Sequence, residues 1–337
     1  MAKPEDPGMV VTRTPLRVSF AGGGTDLEEF YSREPGAVFS TAITRYVYVS
    51  VKRHGPVFDE KVRVTYSTSE MVASVDAVQN DIARECLKFL GIEPPIYIST
   101  IGDLPDSSGL GGSSSFTVGL LNALHAYQGE RVTAGQLAEE ASHVEIDMLG
   151  QPIGKQDQYA AAFGGLNLFT FKPDGGVSVE PQRLANGAVG GLFDHLMMFW
   201  TGHQRRTEAV LGEQKANTAT KFDSLVKMRD QAHELQGKTC NGHIDTAALG
   251  QILDEGWQLK RGLASSISNQ QIDDWYESAM NAGASGGKIL GAGGGGFLLF
   301  VVDPEHQDAV RDALGTLTEV PVWYEVHGSR VLFPAGH

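Results

Sequence analysis

Apolar and polar positions alternate early in this chain. Between Ala42 and Lys52, Val47, Val49 and Val51 fall on one face while Tyr46 and Tyr48 fall on the other, the two-residue period of a strand. Similar runs at 17–20, 61–66 and 96–100 predict further strands. The period then lengthens. Phe116, Leu120, Leu121 and Leu124 recur at helical spacing, so helices are predicted over 81–90, 113–127 and 134–149. Strands over 166–171 and 177–179 follow. Residues 184–191, with Asn186, Gly187, Gly190 and Gly191, read as a linker. Beyond it come a buried strand at 196–200, a long helix over 207–235, and helices over 246–266 and 272–282. A strand at 297–302, a helix over 307–317 and strands at 322–326 and 330–333 complete the pattern. Strands and helices cluster rather than alternate, which points to an α+β fold, with one domain over 1–185 and a second over 192–337.

The chain has 337 residues, 41% hydrophobic and 20% charged, ordinary for a globular protein with an ample core. Its net charge of −14 argues against binding to a nucleic-acid backbone, which needs a basic surface. Cys86 and Cys240 lie far apart with no ligand spacing, so two reduced thiols are expected rather than a disulfide or a zinc site. The first eleven residues lack the apolar core of a signal peptide, and no apolar run approaches membrane-spanning length. A cytoplasmic protein without membrane partners is expected.

Candidate chemistry sits in the loops. Gly109-Leu110-Gly111-Gly112-Ser113-Ser114-Ser115 feeds directly into the helix over 113–127. Glycines let backbone approach a ligand, and a helix N-terminus offers unpaired N–H groups to an anion. The alternative is a plain turn with a serine cap, and composition alone leaves both open. Gly291-Ala292-Gly293-Gly294-Gly295-Gly296 fits GxGxxG but precedes a strand, which disqualifies it as a dinucleotide fingerprint. One Cβ in six residues is entropically expensive for a turn, so backbone packed closely against a ligand or against the 109–115 loop is favoured. Glu145 falls at the border of the stripe Leu137, Ala141, Val144, Met148; it is either a snorkelling surface carboxylate or a buried ligand to a cation. Lys155 and Asp157 follow a Gly/Pro turn, as a solvated ion pair or as a proton acceptor beside a cation. Arg17 leads a strand into Gly22-Gly23-Gly24-Thr25-Asp26, either a capped turn or a loop with polar groups in a site.

Three of these segments, 14–26, 109–115 and 291–296, occur in the order that makes the chain resemble the GHMP kinases, the superfamily of galactokinase, homoserine kinase and mevalonate kinase. Within it, Gly-Gly-Gly-Thr-Asp-Leu and Gly-Lys-Gln-Asp-Gln are similar to the bacterial heptose 7-phosphate kinases. The resemblance implies two α+β domains, the second ferredoxin-like, with an active site in the cleft between them. It implies ATP and Mg2+. Gly109, Gly111, Gly112, Ser113, Ser114 and Ser115 would wrap the ATP phosphates, with Ser113 and Glu145 on the metal. Asp157 would be the general base, Arg17 would lie near the transferring phosphate, and Lys155 would add charge there. Gly24, Thr25, Asp26 and Gly294 would hold the sugar. Arg205 and Arg206, near a helix start, offer either a site for a second substrate phosphate or a solvated basic pair. The implied partners are ATP and a sugar phosphate, phosphorylated at the anomeric hydroxyl for cell-surface polysaccharide. The alternatives are another sugar, a mevalonate-type alcohol, or a non-catalytic sensor. Gly-Gly-Thr-Asp-Leu replaces the Glu-His-Thr-Asp-Tyr of galactokinases and argues against galactose. Oligomeric state is left open.

Overall fold

A computed structural model describes residues 8–55, 57–185, 187–203, 207–240 and 242–333. The first half runs β1 (Met9–Ala21), α1 (Glu28–Tyr31), β2 (Gly36–Arg53), β3 (Val62–Thr65), β4 (Ser69–Val72), α2 (Asp81–Phe89) and β5 (Ile96–Gly102). It continues with α3 (Gly112–Tyr127), α4 (Ala134–Ser142), α5 (Gln156–Phe163), β6 (Leu166–Phe171) and β7 (Val177–Pro181). The second half comprises α6 (Ala188–Phe193), β8 (Leu196–Trp200), α7 (Thr207–Asn217), α8 (Phe222–Gly237), β9 (Thr239–Cys240), β10 (His243–Ile244), α9 (Thr246–Arg261) and α10 (Gln270–Asn281). It ends in β11 (Ala284–Ile289), β12 (Phe297–Val302), α11 (Gln307–Ala313), β13 (Thr318–Glu319) and β14 (Arg330–Phe333). The α+β expectation holds.

The first sheet has the order β14-β1-β2-β5-β3-β4, and β6 with β7 joins it through β2. The long β2 makes this possible: Gly36–Thr41 pairs with β6, and Val47–Arg53 pairs with β5. α3 packs on β1 and β2. The second sheet, β11-β12-β8-β13, is antiparallel throughout. In β12, Phe297, Leu299 and Val301 pack into the core shared with the first sheet, while Leu298, Phe300 and Val302 enter a second core with Trp257 and Tyr276. A strand buried on both faces reads as an unbroken apolar run, and Phe297–Val302 is such a run.

Several boundaries differ from the sequence reading. The helix expected over 207–235 breaks between α7 and α8. There the Thr218 hydroxyl donates to the Gln214 carbonyl and the Thr220 hydroxyl to that of Asn217, offering the backbone alternatives to helix continuation. The glycine-rich stretch expected as a linker holds the first four residues of α6, whose Ala188, Leu192 and Phe193 are buried. The expected strand at 322–326 makes only a bridge from Tyr324 to Ile43. The tail then pairs as β14 with β1, so the last strand belongs to the first sheet, not to the second half. The helix expected over 134–149 stops at Ser142 and continues as a π-helix over His143–Met148.

Candidate active site

Loop and helix meet at Gly111, the N-cap of α3, which sits at φ 76° in the left-handed region, where a side chain would be strained. The first helical bond is Ser115 N–H to the Gly111 carbonyl at 2.9 Å. The N–H groups of Gly112, Ser113 and Ser114 therefore have no partner within the helix, and they point their positive end into a cleft of about 440 Å³. Glycine is required behind the loop as well. A Cβ on Gly109 would lie 2.5 Å from the Leu290 carbonyl oxygen, and one on Gly291 would collide with Gly109. The second glycine run thus backs the first, the close packing expected of residues 291–296.

Glu145 is completely buried. One extra residue in the π turn, where Leu149 N–H reaches back to the Val144 carbonyl at 3.0 Å, rotates Glu145 inward and leaves Met148 partly exposed. Its Oε1 accepts from the Ser113 hydroxyl and its Oε2 from the Gln158 amide, both at 2.7 Å. Burial raises its pKa, and hydrogen bonds from Ser113, Ser114 and Gln158 oppose this without overcoming it. The surface reading of Glu145 is excluded.

Arg17, buried on β1, holds two elements together. Its Nε lies 2.8 Å and its Nη2 2.6 Å from Asp157 Oδ1, while Nη1 donates to the Gly109 carbonyl at 2.7 Å. Asp157 lies in the first turn of α5 and retains partial exposure toward the cleft. A Cβ on Gly111 would lie 3.4 Å from the Asp157 carboxyl carbon, so base candidate and phosphate-loop candidate adjoin. Asp26 closes this side: its carboxylate accepts from Gly24 N–H at 2.9 Å and Gln156 N–H at 3.3 Å. Burial, then the Asp157 charge, raises its pKa.

Four sequence expectations are corrected. Lys155 turns away: its ammonium donates to the Gly175 carbonyl at 2.9 Å and lies 4.0 Å from Glu139, because it is the N-cap of α5 while Asp157 lies a partial turn further round. The Ser115 hydroxyl donates to the Pro15 carbonyl at 2.8 Å, on the sheet side of α3. Thr25 is committed to the Gly22 and Ala37 carbonyls at 2.8 and 3.0 Å, stapling the loop rather than facing the cleft. Gly294 gives its N–H to the Ile267 carbonyl at 2.7 Å, and Gly291 with Ala292 lines the cleft instead. Arg205 and Arg206 lie outside the described residues.

The structure also adds residues. Lys260 and Lys288 both line the cleft, and both are buried. Lys288 Nζ donates to the Ser19 and Phe20 carbonyls at 3.0 and 3.1 Å; Lys260 Nζ donates to those of Ile289 (3.4 Å) and Gly291. Lys260 had a signal in the sequence: with Leu249, Leu253 and Trp257 it forms the buried stripe of α9, where a lysine has no structural reason to be. Among the described residues no group of three or more His, Cys, Asp or Glu could hold a metal alone. One carboxylate and one hydroxyl beside a phosphate cradle are instead a hard-oxygen set of the kind Mg2+ completes with phosphate oxygens and water.

The chain matches a known family. Residues 75–165 match the GHMP kinases N-terminal domain, and residues 232–317 match the GHMP kinases C-terminal domain. The chain belongs to the GHMP kinases, and the α+β fold and a phosphotransferase activity on an alcohol come with that membership. It is 31% identical over 317 residues to the D-glycero-alpha-D-manno-heptose 7-phosphate kinase of Campylobacter jejuni, covering 90% of this chain and 92% of that one. It is 25% identical over 338 residues to the galactokinase of Pyrococcus furiosus, covering 90% and 92%. A D-glycero-D-manno-heptose 1-phosphate kinase from Bacteroides thetaiotaomicron shares the fold, with a TM-score of 0.78 at 24% identity over 96% of this chain and 99% of that one.

Proposed function

We propose that this GHMP kinase transfers the γ-phosphoryl group of ATP to the anomeric hydroxyl of D-glycero-D-manno-heptose 7-phosphate, with Mg2+. The observation that carries the reading is Asp157, fixed by Arg17 at 2.6–2.8 Å against the mouth of the 109–114 loop. Phosphoryl transfer asks for alignment and charge compensation more than for covalent chemistry. The free N–H groups at the start of α3 hold the phosphates. Ser113 and Glu145 would hold the magnesium ion, which when bound neutralises phosphate charge. Asp157 takes the acceptor proton, Arg17 offsets charge developing at the transferring group, and Asp26 accepts from a sugar hydroxyl. The 31% identity to the Campylobacter heptose 7-phosphate kinase supports the acceptor. A cytoplasmic enzyme supplying heptose 1,7-bisphosphate to cell-surface polysaccharide synthesis follows from that acceptor.

The test is an acceptor panel read by ADP release: heptose 7-phosphate, unphosphorylated heptose, galactose, fucose and mevalonate. Heptose 7-phosphate is expected to lead in kcat/KM by about 10²-fold or more. Equal or better turnover of galactose, fucose or mevalonate would replace the acceptor while leaving the kinase assignment intact.

A further inference from the structure

Lys260 stands out within the cleft. It is 7% exposed, and both hydrogen bonds to its ammonium go to neutral backbone carbonyls, those of Ile289 and Gly291. An ammonium has three protons to give, so one is unspent. The charged groups that face it are Arg17 from β1, Asp157 from α5, Asp26 from the loop after β1, and Lys288 from β11. Among the described residues none of its neighbouring carboxylates closes a salt bridge with it, since Asp157 is taken by Arg17 and Asp26 by backbone N–H groups. A cation taken out of water without a counterion is expensive. Its position is also determined: the Gly291 carbonyl that it grips belongs to the residue packed on Gly109, whose own carbonyl is held by Arg17.

We propose that Lys260 is a catalytic residue, a second cation beside Arg17 that donates its free proton to an oxygen of the transferring phosphoryl group. In the reaction the bond from γ-phosphorus to the β–γ bridging oxygen breaks, and ADP leaves with that electron pair. A bond forms from phosphorus to the acceptor oxygen, whose proton passes to Asp157. Charge on the equatorial oxygens of the group in flight then meets two cations that line the same cleft, Arg17 from β1 and Lys260 from α9. Donors already aimed at developing charge need no reorganisation at the moment of transfer. Burial, then the Arg17 charge, brings the Lys260 pKa down to about 7 in the free protein, so a phosphate dianion would restore its proton on binding.

The experiment compares the full-length protein with Lys260→Met and Lys260→Arg, using whichever acceptor leads the panel, so it does not depend on that acceptor being a heptose. Lys260→Met is expected to lower kcat about 10²-fold while the ATP dissociation constant from calorimetry changes by less than about threefold. Lys260→Arg should recover much of kcat. Wild-type kcat/KM should fall as pH rises above about 7, and the arginine variant should lose that limb because its charge persists. A kcat for Lys260→Met within about threefold of wild type would overturn the proposal. So would a joint loss of ATP affinity and kcat without recovery by arginine, the mark of a side chain that only clamps the 289–291 turn. Should the methionine variant fail to fold, identical pH profiles for wild type and Lys260→Arg would overturn it equally.

Discussion

The two ends of α3 face carboxylates in contrasting states, partly or fully exposed at one end and buried at the other. Near its C-terminus, His125 lies 2.7 Å from Glu130 through Nδ1 and 2.7 Å from Glu140 through Nε2. The Glu140 hydrogen bond raises the imidazole pKa against the effect of burial, and burial of Glu140 is outweighed by its hydrogen bonds from His125 and Gln136, which hold it below the usual value. At the N-terminus, five residues further along the same connecting helix, Glu145 meets only the neutral donors Ser113, Ser114 and Gln158, and its pKa is raised. One cluster contains its own counter-charge; the other lacks a cation. The difference separates a strut from a site. Polar atoms without partners gather at the second end too, among them Gln156 Oε1 and Gln158 Oε1, as expected where a ligand rather than the fold completes the hydrogen bonding.

The contrast can be broken experimentally. The largest effect is expected from Glu145→Gln, which keeps the volume and removes the charge. Turnover should fall about 10²-fold or more, and the response to magnesium should flatten. Unchanged turnover would make Glu145 structural. The same substitution should stabilise the ligand-free protein by about 1 kcal/mol, raising Tm by about 2 °C, since an uncompensated buried carboxylate is removed. The pH dependence follows from the sign of the shift. A carboxylate whose folded pKa lies above its unfolded one contributes fully below the unfolded value and loses that contribution as pH rises through the folded value. The stability advantage of Glu145→Gln should therefore grow from about pH 4.5 upward.

At the opposite end the expectation reverses. His125→Gln should leave kcat alone and destabilise by about 1–2 kcal/mol in chemical denaturation. The raised histidine contributes fully below its unfolded pKa, near 6.5, and is lost as pH rises through the folded value; the lowered Glu140 contributes above 4.5 and is lost as pH falls through its folded value. The deficit of His125→Gln should be widest between those limits. A deficit independent of pH would show that packing, not the charge pair, holds this end.

The loops of the site were legible in the sequence because their chemistry is written in runs. Gly109–Gly112 and Gly291–Gly296 are unusual enough to demand close backbone approach, and the structure stacks one on the other. Arg17 and Asp157 were legible as candidates, but their mutual bond joins positions 140 residues apart, which no local pattern encodes. Lys155 misled for the opposite reason: proximity in sequence to Asp157 says nothing of direction on a helix, where successive residues point about 100° apart. A 3.6-residue period puts Glu145 at a border, whereas the segment winds as a π turn. Lys260 is hard to single out because a lysine in a helix is ordinarily solvated, although it shares the Leu249–Leu253–Trp257 stripe. The misassigned tail has a similar cause: β14 is short and mostly exposed, so its pattern does not say which sheet it joins.

The account turns on Asp157 as the acceptor of the substrate proton beside a bound triphosphate. Single-turnover phosphorylation of the best acceptor by Asp157→Asn, with ATP affinity measured in parallel, tests it most directly. The account predicts a fall of about 10²–10⁴-fold in the transfer rate with ATP bound nearly as tightly as in wild type. Transfer at close to the wild-type rate would contradict it.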